Sequence, residues 1–268
     1  MIKINAALCK NANNVRLILH YYGRAVVDNR WKGTALNPIY SRLFYISDGS
    51  ATITTLHNKK KIILEKGKWY LLPAGCSFDF SCDNQLDHIY FHFKLCDIDK
   101  IDFFHECKEP CSIVYPKDMT EFFIKNLDNS SINDGLKVRQ ILYDILISIM
   151  EENNISLHPK NLSPCVSNAI HYIKKNLSIE LSLNQIAEHI FVSKSTLTKQ
   201  FRKELSMSVH DYICDSVLFE ACQLLTKNTL SISAISEKLG FCDQFYFSRM
   251  FSEKFGIPPR DYRKLTDM

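Results

Sequence analysis

The chain has 268 residues, of which 46% are hydrophobic and 23% charged, with 8 Gly and 8 Pro. That length suits one large or two ordinary domains, and the composition is ordinary for a soluble protein. No apolar run approaches the roughly 18 residues of a membrane span, so no membrane partner is expected. The net charge of +4 is a mild bias toward a polyanionic partner.

The N-terminal "MIKINAALCKNANN" lacks the apolar centre of a signal peptide, so a cytoplasmic location is expected. The ten cysteines, at 9, 76, 82, 96, 107, 111, 165, 214, 222 and 242, are scattered and form no Cys-x-x-Cys pair. They read as reduced thiols used as small hydrophobes, not as disulfides or zinc ligands.

Residues 1–115 read as β structure. The runs "SRLFYISDG", "SATITTLH", "KKIILEKG", "KWYLLPAG" and "DHIYFHFKL" are rich in aromatic and branched residues. Gly, Asp, Asn and Pro separate them at short intervals, as in a sandwich or small barrel.

From Met119 the period changes. "MTEFFIKNLDN" and "DGLKVRQILYDILISIMEEN" read as helices within a segment 116–152. In the second, Leu136, Val138, Ile141, Leu142, Ile145, Leu146, Ile149 and Met150 make a broad apolar face. It either packs on the β unit or forms a homodimer through residues 134–152, with Ile145 and Ile149 in the contact. "NNISLHPKNLSP" breaks the period with two prolines, and residues 153–163 are read as a linker.

Residues 164–268 read as all-helical, with an internal repeat. "LSLNQIAEHI" is a short helix capped by Ser182 and closed by Gln185 as a capping box. The turn "FVS" leads to a second helix, "KSTLTKQFRKEL", capped by Ser193. "LSISAISEKL", "GFC" and "DQFYFSRMFSEKF" repeat the plan at an offset read as 50 residues. "HDYICDSVLFEACQLL" joins the units. Short helix, turn and longer helix is the helix-turn-helix plan.

Each second helix has two faces. Phe247, Met250, Phe251 and Phe255 form a core stripe, while Gln244, Phe245, Ser248 and Arg249 share another side. On the first unit Lys194, Ser195, Thr198, Lys199 and Arg202 face outward. "SKSTLTKQFRK" carries four cations and no anion, which by itself would suit a merely solvated face. Two such units in register point instead to helices with one face for a core and one for a DNA groove.

At these residues the chain resembles the AraC/XylS family of bacterial transcription regulators. The resemblance is carried by Gly240-Phe241, by Tyr246-Phe247-Ser248-Arg249-Met250-Phe251, and by Gly256-Ile257-Pro258-Pro259-Arg260-Asp261-Tyr262-Arg263. It implies two successive major grooves read by Ser195, Thr198 and Lys199 and by Gln244, Phe245, Ser248 and Arg249. Arg249 can fork to guanine, Gln244 can pair with adenine, and Phe245 can pack on a thymine methyl. Lys194, Arg202 and Lys203 suit phosphate. The chain departs from the family pattern at Phe191 and Ser206, which replace glycines, and at Val217, which replaces an arginine.

The first half is similar to the family's cupin-type sensor barrel, a weaker resemblance. One cupin motif falls at Gly67, Pro73, Gly75 and Phe78, the other at Arg42 and Gly49. The implied fold class is α+β: a cupin-like β-barrel with flanking helices, followed by an all-α domain with two helix-turn-helix units. The resemblance implies double-stranded DNA, a small-molecule effector and RNA polymerase as partners, without catalysis, metal or cofactor.

Alternation in "DHIYFHF" puts His88, Tyr90 and His92 on one strand face and Ile89, Phe91 and Phe93 on the other. The cupin resemblance turns the first set inward toward Arg42, a donor set for a sugar or organic acid, with Tyr45, Trp69 and Phe78 as candidate walls. The rival reading is a metal-dependent cupin enzyme. Against it, Phe78 and Arg42 stand where such enzymes place His and Glu, and neither Ala35 with Asn37 nor Leu36 with Pro38 supplies a histidine. A constitutive architectural DNA binder is a third reading.

Overall fold

The structure, a computed structural model, describes residues 5–36, 38, 40–97, 101–116, 120, 121, 124, 125, 131–157, 162–205, 207–227 and 229–266. Asn37, Ser206, most of the helix expected from Met119 and part of the expected linker lie outside them. The chain divides into two compact units, 1–159 and 160–268.

The first unit opens with α1 (Ala6–Asn14), capped by the Asn5 side chain, which accepts from the Leu8 amide at 3.0 Å. Eight strands follow: β1 (Arg16–Asp28), β2 (Lys32–Ala35), β3 (Ser41–Thr55), β4 (Lys61–Glu65), β5 (Trp69–Leu72), β6 (Phe78–Ser81), β7 (Gln85–Cys96) and β8 (Cys111–Ile113). Two runs expected as separate strands, "SRLFYISDG" and "SATITTLH", are one continuous β3. The glycine between them bends the strand instead of ending it. Gly49 has φ +77, and a Cβ there would lie 2.0 Å from the Gln85 carbonyl oxygen.

That bend lets β3 serve two sets of neighbours. Its first part pairs with β7 and β5, its second with β4 and β6, all antiparallel. The order β1-β7-β3-β5-β8 is an open path, with β2 on β6, and among the described residues β1 does not pair with β8. The sheet therefore does not close into the barrel that the resemblance implied.

Both faces of β7 are covered. Ile89, Phe91 and Phe93 pack with Leu43, Trp69 and Leu71. The opposite face joins Leu86 to Phe44, Ile46, Tyr70, Leu72 and Phe78. Helix α2 (Ile132–Glu152) starts on the Ser131 cap and lays Val138, Ile141, Leu142, Ile145, Leu146 and Ile149 on the Trp69 face. The packing role of its apolar stripe is thus taken up inside one chain. Ile145 and Ile149 are core residues, both 0% exposed, so they are not dimer-contact residues. Leu136, expected on that stripe, is 61% exposed.

The second unit holds α3 (Pro164–Lys175), α4 (Leu183–His189), α5 (Lys194–Leu205), α6 (Val209–Thr226), α7 (Ile232–Lys238), α8 (Gln244–Phe255) and α9 (Pro259–Thr266). The capping box at Ser182 and Gln185 is present. Ser193 Oγ accepts from the Thr196 amide at 3.1 Å, and Asp243 Oδ1 accepts from the amides of Phe245 and Tyr246 at 2.7 and 2.8 Å. Eleven residues of the linking helix α6 are buried, among them Val217, which stands at the family's arginine position.

The repeat has two offsets. From α4 to α7 it is 49 residues, because Leu183 answers to Ile232; from α5 to α8 it is 50, because Lys194 answers to Gln244. The second turn is one residue longer than the first, so a single offset of 50 does not hold. Both turns need one left-handed residue: Gly240 has φ +78, and Phe191 takes φ +56 where the family has glycine. A non-glycine residue in that region costs roughly 1–3 kcal/mol.

The two helix-turn-helix units meet directly as well as through α6. The Ile179 amide, between α3 and α4, donates to the Leu239 carbonyl at 3.0 Å. A Cβ on Gly240 would lie 2.1 Å from Ser178 Oγ. Gly240 is therefore required twice over, by its backbone conformation and by this close approach.

Candidate nucleic-acid interface and effector site

Helix α5 buries Leu197, Phe201 and Leu205. Its other side exposes Lys194, Ser195, Lys199, Arg202 and Lys203, with Thr198 half-buried. None of these four cations forms an ion pair among the described residues. A salt bridge would hold such a charge; these are free for an external anion. Helix α8 buries Phe247, Phe251 and Phe255, while Met250 is only half-buried. It exposes Gln244, Phe245 and Arg249 and half-buries Ser248. Phe245 is 77% exposed. An apolar ring kept in water at a helix start, beside an amide and a guanidinium, makes a surface for base edges.

Tyr246, quoted above only for the family motif, joins the outward face of α8. Tyr246 is 36% exposed, and its ring centroid lies 5.5 Å from the Arg249 guanidinium carbon. The Tyr246 and Phe245 amides hold the Asp243 carboxyl below its usual range. Lys254, by contrast, is turned back into the unit, 2.9 Å from Asp215 on α6.

The strand-lined cluster in the first unit contains all four expected residues. Arg42 pairs in register with His92, Phe44 with Tyr90 and Ile46 with His88. The Arg42 guanidinium lies over the rings of Tyr40 at 5.0 Å and Phe78 at 5.3 Å. Tyr40 stacks on His92 at 4.7 Å and lies 5.5 Å from His20. His88 is ringed by Trp31, Phe44 and Tyr90. His20, Tyr40 and Trp31 are additions that only the three-dimensional pairing reveals. Two expected walls are misplaced: Tyr45 and Trp69 belong to the opposite face, against α2, because they share register parity with Ile89. Phe78 is on the expected side.

The charge state of this cluster follows from its dryness. Burial pulls His20 down to about 3 and His88 to about 4, and burial together with the Arg42 charge holds His92 well below the usual imidazole range. At neutral pH the imidazoles are uncharged; Arg42 is the cation that acts on His92, and Lys94 acts on His20. No carboxylate pairs with Arg42 among the described residues, and both its Nη1 and His88 Nδ1 are buried without a hydrogen-bond partner. Buried donors of this kind are normally satisfied. The described residues contain no group of three or more His, Cys, Asp or Glu placed to hold a metal ion. Among the described residues no helix is long and apolar enough to cross a membrane.

Two helix-turn-helix units with exposed, cationic and amide-bearing second helices define a DNA-binding protein. A helix-turn-helix domain family matches residues 186–265. The chain is 28% identical over 268 residues to the Msm operon regulatory protein of Streptococcus mutans, covering 94% of each. It is 33% identical over 124 residues to the arabinose operon regulatory protein of Escherichia coli, which is 46% of this chain and 42% of that protein. Its fold is similar to that of ToxT from Vibrio cholerae: TM-score 0.57 at 13% identity, over 94% of this chain and 98% of ToxT. A form of ToxT with bound unsaturated fatty acid has TM-score 0.58 at 12% identity, over 99% and 98% of the two chains. Over residues 186–265 the chain carries a helix-turn-helix domain, and it is similar to operon regulatory proteins, in line with the resemblance to the AraC/XylS family. It is a DNA-binding regulator and not an enzyme.

The dryness of the cluster makes stability depend on pH. Unfolded, His88 titrates near its ordinary 6.5; folded, at about 4. Above pH 6.5 both states are neutral and the contribution is complete. As pH falls, the unfolded chain takes up a proton first, so stability drops between 6.5 and 4 and then levels. The loss is on the order of 3 kcal/mol. Asp102, raised to about 7 by burial, acts in the opposite direction, so the comparison must be with a variant. Urea unfolding at pH 7.5 and 4.5 is expected to show a smaller acid loss in His88→Gln than in wild type; equal losses would contradict the assignment.

Proposed function

We propose that this chain is a cytoplasmic regulator that reads two successive major grooves and responds to a small polar or anionic effector, a sugar or organic acid. Residues 1–115 are the cupin-like sensor, 116–152 a dimerisation segment, 153–163 the linker and 164–268 the DNA-binding domain. The observation that carries the DNA assignment is the pair of outward faces on α5 and α8. Ser195, Thr198, Lys199, Gln244, Phe245, Ser248 and Arg249 read bases, and Lys194, Arg202 and Lys203 hold phosphate. RNA polymerase is a further partner of the DNA-bound form.

The effector assignment rests on Arg42. Its unpartnered Nη1, the neutral imidazoles of His88 and His92 and the Tyr90 phenol supply donors among apolar rings. A carboxylate would pair with the one cation, and sugar hydroxyls would take the ring nitrogens. The operon-regulator names of the relatives and the fatty acid bound by ToxT support an organic effector. Binding would alter DNA affinity to the extent that it favours one arrangement of the chain.

Dimerisation is assigned to the outer side of α2. Ile132, Leu136 and Ile147 are 85%, 61% and 45% exposed and lie on one side of the helix, away from the sheet. An apolar strip left in water suits an antiparallel second copy.

Three experiments test these assignments. Arg249→Ala is expected to cost about 1–3 kcal/mol and relax preference at one base pair, while Lys203→Ala weakens all duplexes alike and lowers the salt slope by about 0.9. Unchanged affinity of Arg249→Ala for operator and random DNA would refute the face. In thermal-shift screening, sugars or organic acids that stabilise wild type should fail on Arg42→Ala; equal stabilisation removes Arg42 from the site. In sedimentation, Leu136→Glu with Ile147→Glu should convert a dimer into a folded monomer, and a wild-type monomer at working concentration rejects the dimer.

A further inference from the structure

Arg249 differs from the other interface cations in what supports it. Lys194, Lys199, Arg202 and Lys203 extend from exposed positions with no ring beneath them among the described residues. Arg249 lies over the Tyr246 ring. The two are three residues apart on α8, a spacing at which helical side chains meet. The ring is itself fixed. It packs edge-on to Phe241 at 5.8 Å and 64°, and Phe241 is 6% exposed. Phe241 in turn sits in the turn after α7, its amide donating to the Ser236 carbonyl at 3.0 Å. The other cation of α8, Lys254, is held by Asp215. Among the described residues, α8 therefore offers solvent one unpaired cation, and that cation rests on an aromatic platform tied to the core.

We propose that Tyr246 is a specificity-determining residue that positions the Arg249 fork for a base edge. The inference rests on the assignment of Arg249 as a base reader. A guanidinium is attracted to the face of an aromatic ring. Held there, it has already given up much of the rotamer freedom that a free arginine loses on docking. Without the platform, the same arginine can swing to a phosphate oxygen, which carries no sequence information. Tyr246 thus biases Arg249 from sequence-blind toward sequence-reading contact. It acts through Arg249 and is a positioning residue. The ring does this work, so the phenol oxygen is dispensable.

The test uses the full chain and a duplex selected by wild-type protein from a randomised library, with each base pair then replaced in turn. Arg249→Ala identifies the base pair whose preference it removes. Tyr246→Leu is expected to reduce discrimination at that same pair by roughly twofold to fivefold, the scale of an exposed cation–π contact. Tyr246→Phe should keep both discrimination and the wild-type salt slope, while Tyr246→Leu should leave the slope equal or steeper, since the released arginine can reach a phosphate. In an Arg249→Ala background, Tyr246→Leu should have no further effect on that pair. Thermal midpoints report folding, and Tyr246→Gln replaces Tyr246→Leu if the latter does not fold. Equal weakening of all duplexes by Tyr246→Leu, loss of discrimination in Tyr246→Phe, or an undiminished effect in the Arg249→Ala background would each overturn the proposal. If Arg249→Ala alters no base preference, the base-reading assignment fails and the proposal with it, and that single variant separates the two failures.

Discussion

The second unit depends on one helix that is buried over most of its surface. α6 buries eleven of its 18 residues, including Tyr212, Val217, Phe219 and Leu225 on different sides. A helix with apolar residues on several sides must be largely enclosed, and the surrounding helices supply the enclosure. Phe201 of α5 meets Tyr212 edge-on at 5.5 Å, and Lys254 of α8 reaches Asp215. Tyr262 of α9 packs against Phe251 and Phe255. Each reading helix therefore spends its apolar stripe on this shared core, which leaves its opposite face committed to water or to DNA.

The first unit solves a different problem. Its sheet is covered on both sides, by α2 on one and by its own folded-over strands on the other. The second side holds polar groups in a dry setting, where neutral imidazoles are cheap to keep and an unpaired guanidinium is not. That imbalance is what marks Arg42 as incomplete.

The helices were legible in the sequence because their signals are local. Ser182 and Ser193 cap where their hydroxyls said they would, and Phe247, Phe251 and Phe255 fall on one stripe. The outward faces of α5 and α8 were legible for the same reason, down to the exposure of Phe245. The sheet was harder. β2 and β6 are four residues each, too short to show a period, and β1 mixes apolar and polar residues through its 13 residues without clean alternation. Alternation along β7 separated His88, Tyr90 and His92 from Ile89, Phe91 and Phe93, yet it could not say which side α2 would cover. Both sides are buried, so Tyr45 and Trp69 were placed with the wrong set. His20 and Tyr40 reach the cluster only through cross-strand pairing and a loop, which no spacing along the chain encodes.

The bond from Ile179 to Leu239 and the seat of Gly240 on Ser178 have a consequence for the DNA rather than for the protein. They tie the two helix-turn-helix units together, so that α5 and α8, if they read DNA as proposed, would act as a caliper. Where both helices enter grooves on one face, the gap between them must match the helical repeat of the duplex, about 10–10.5 base pairs. The letters under each helix can drift one at a time, and affinity will grade with them. On that reading the number of letters between the two sets would be held, because one insertion rotates the far site by about a tenth of a turn, away from the second helix. A regulatory site for this chain would thus accumulate substitutions over time and be erased by insertions.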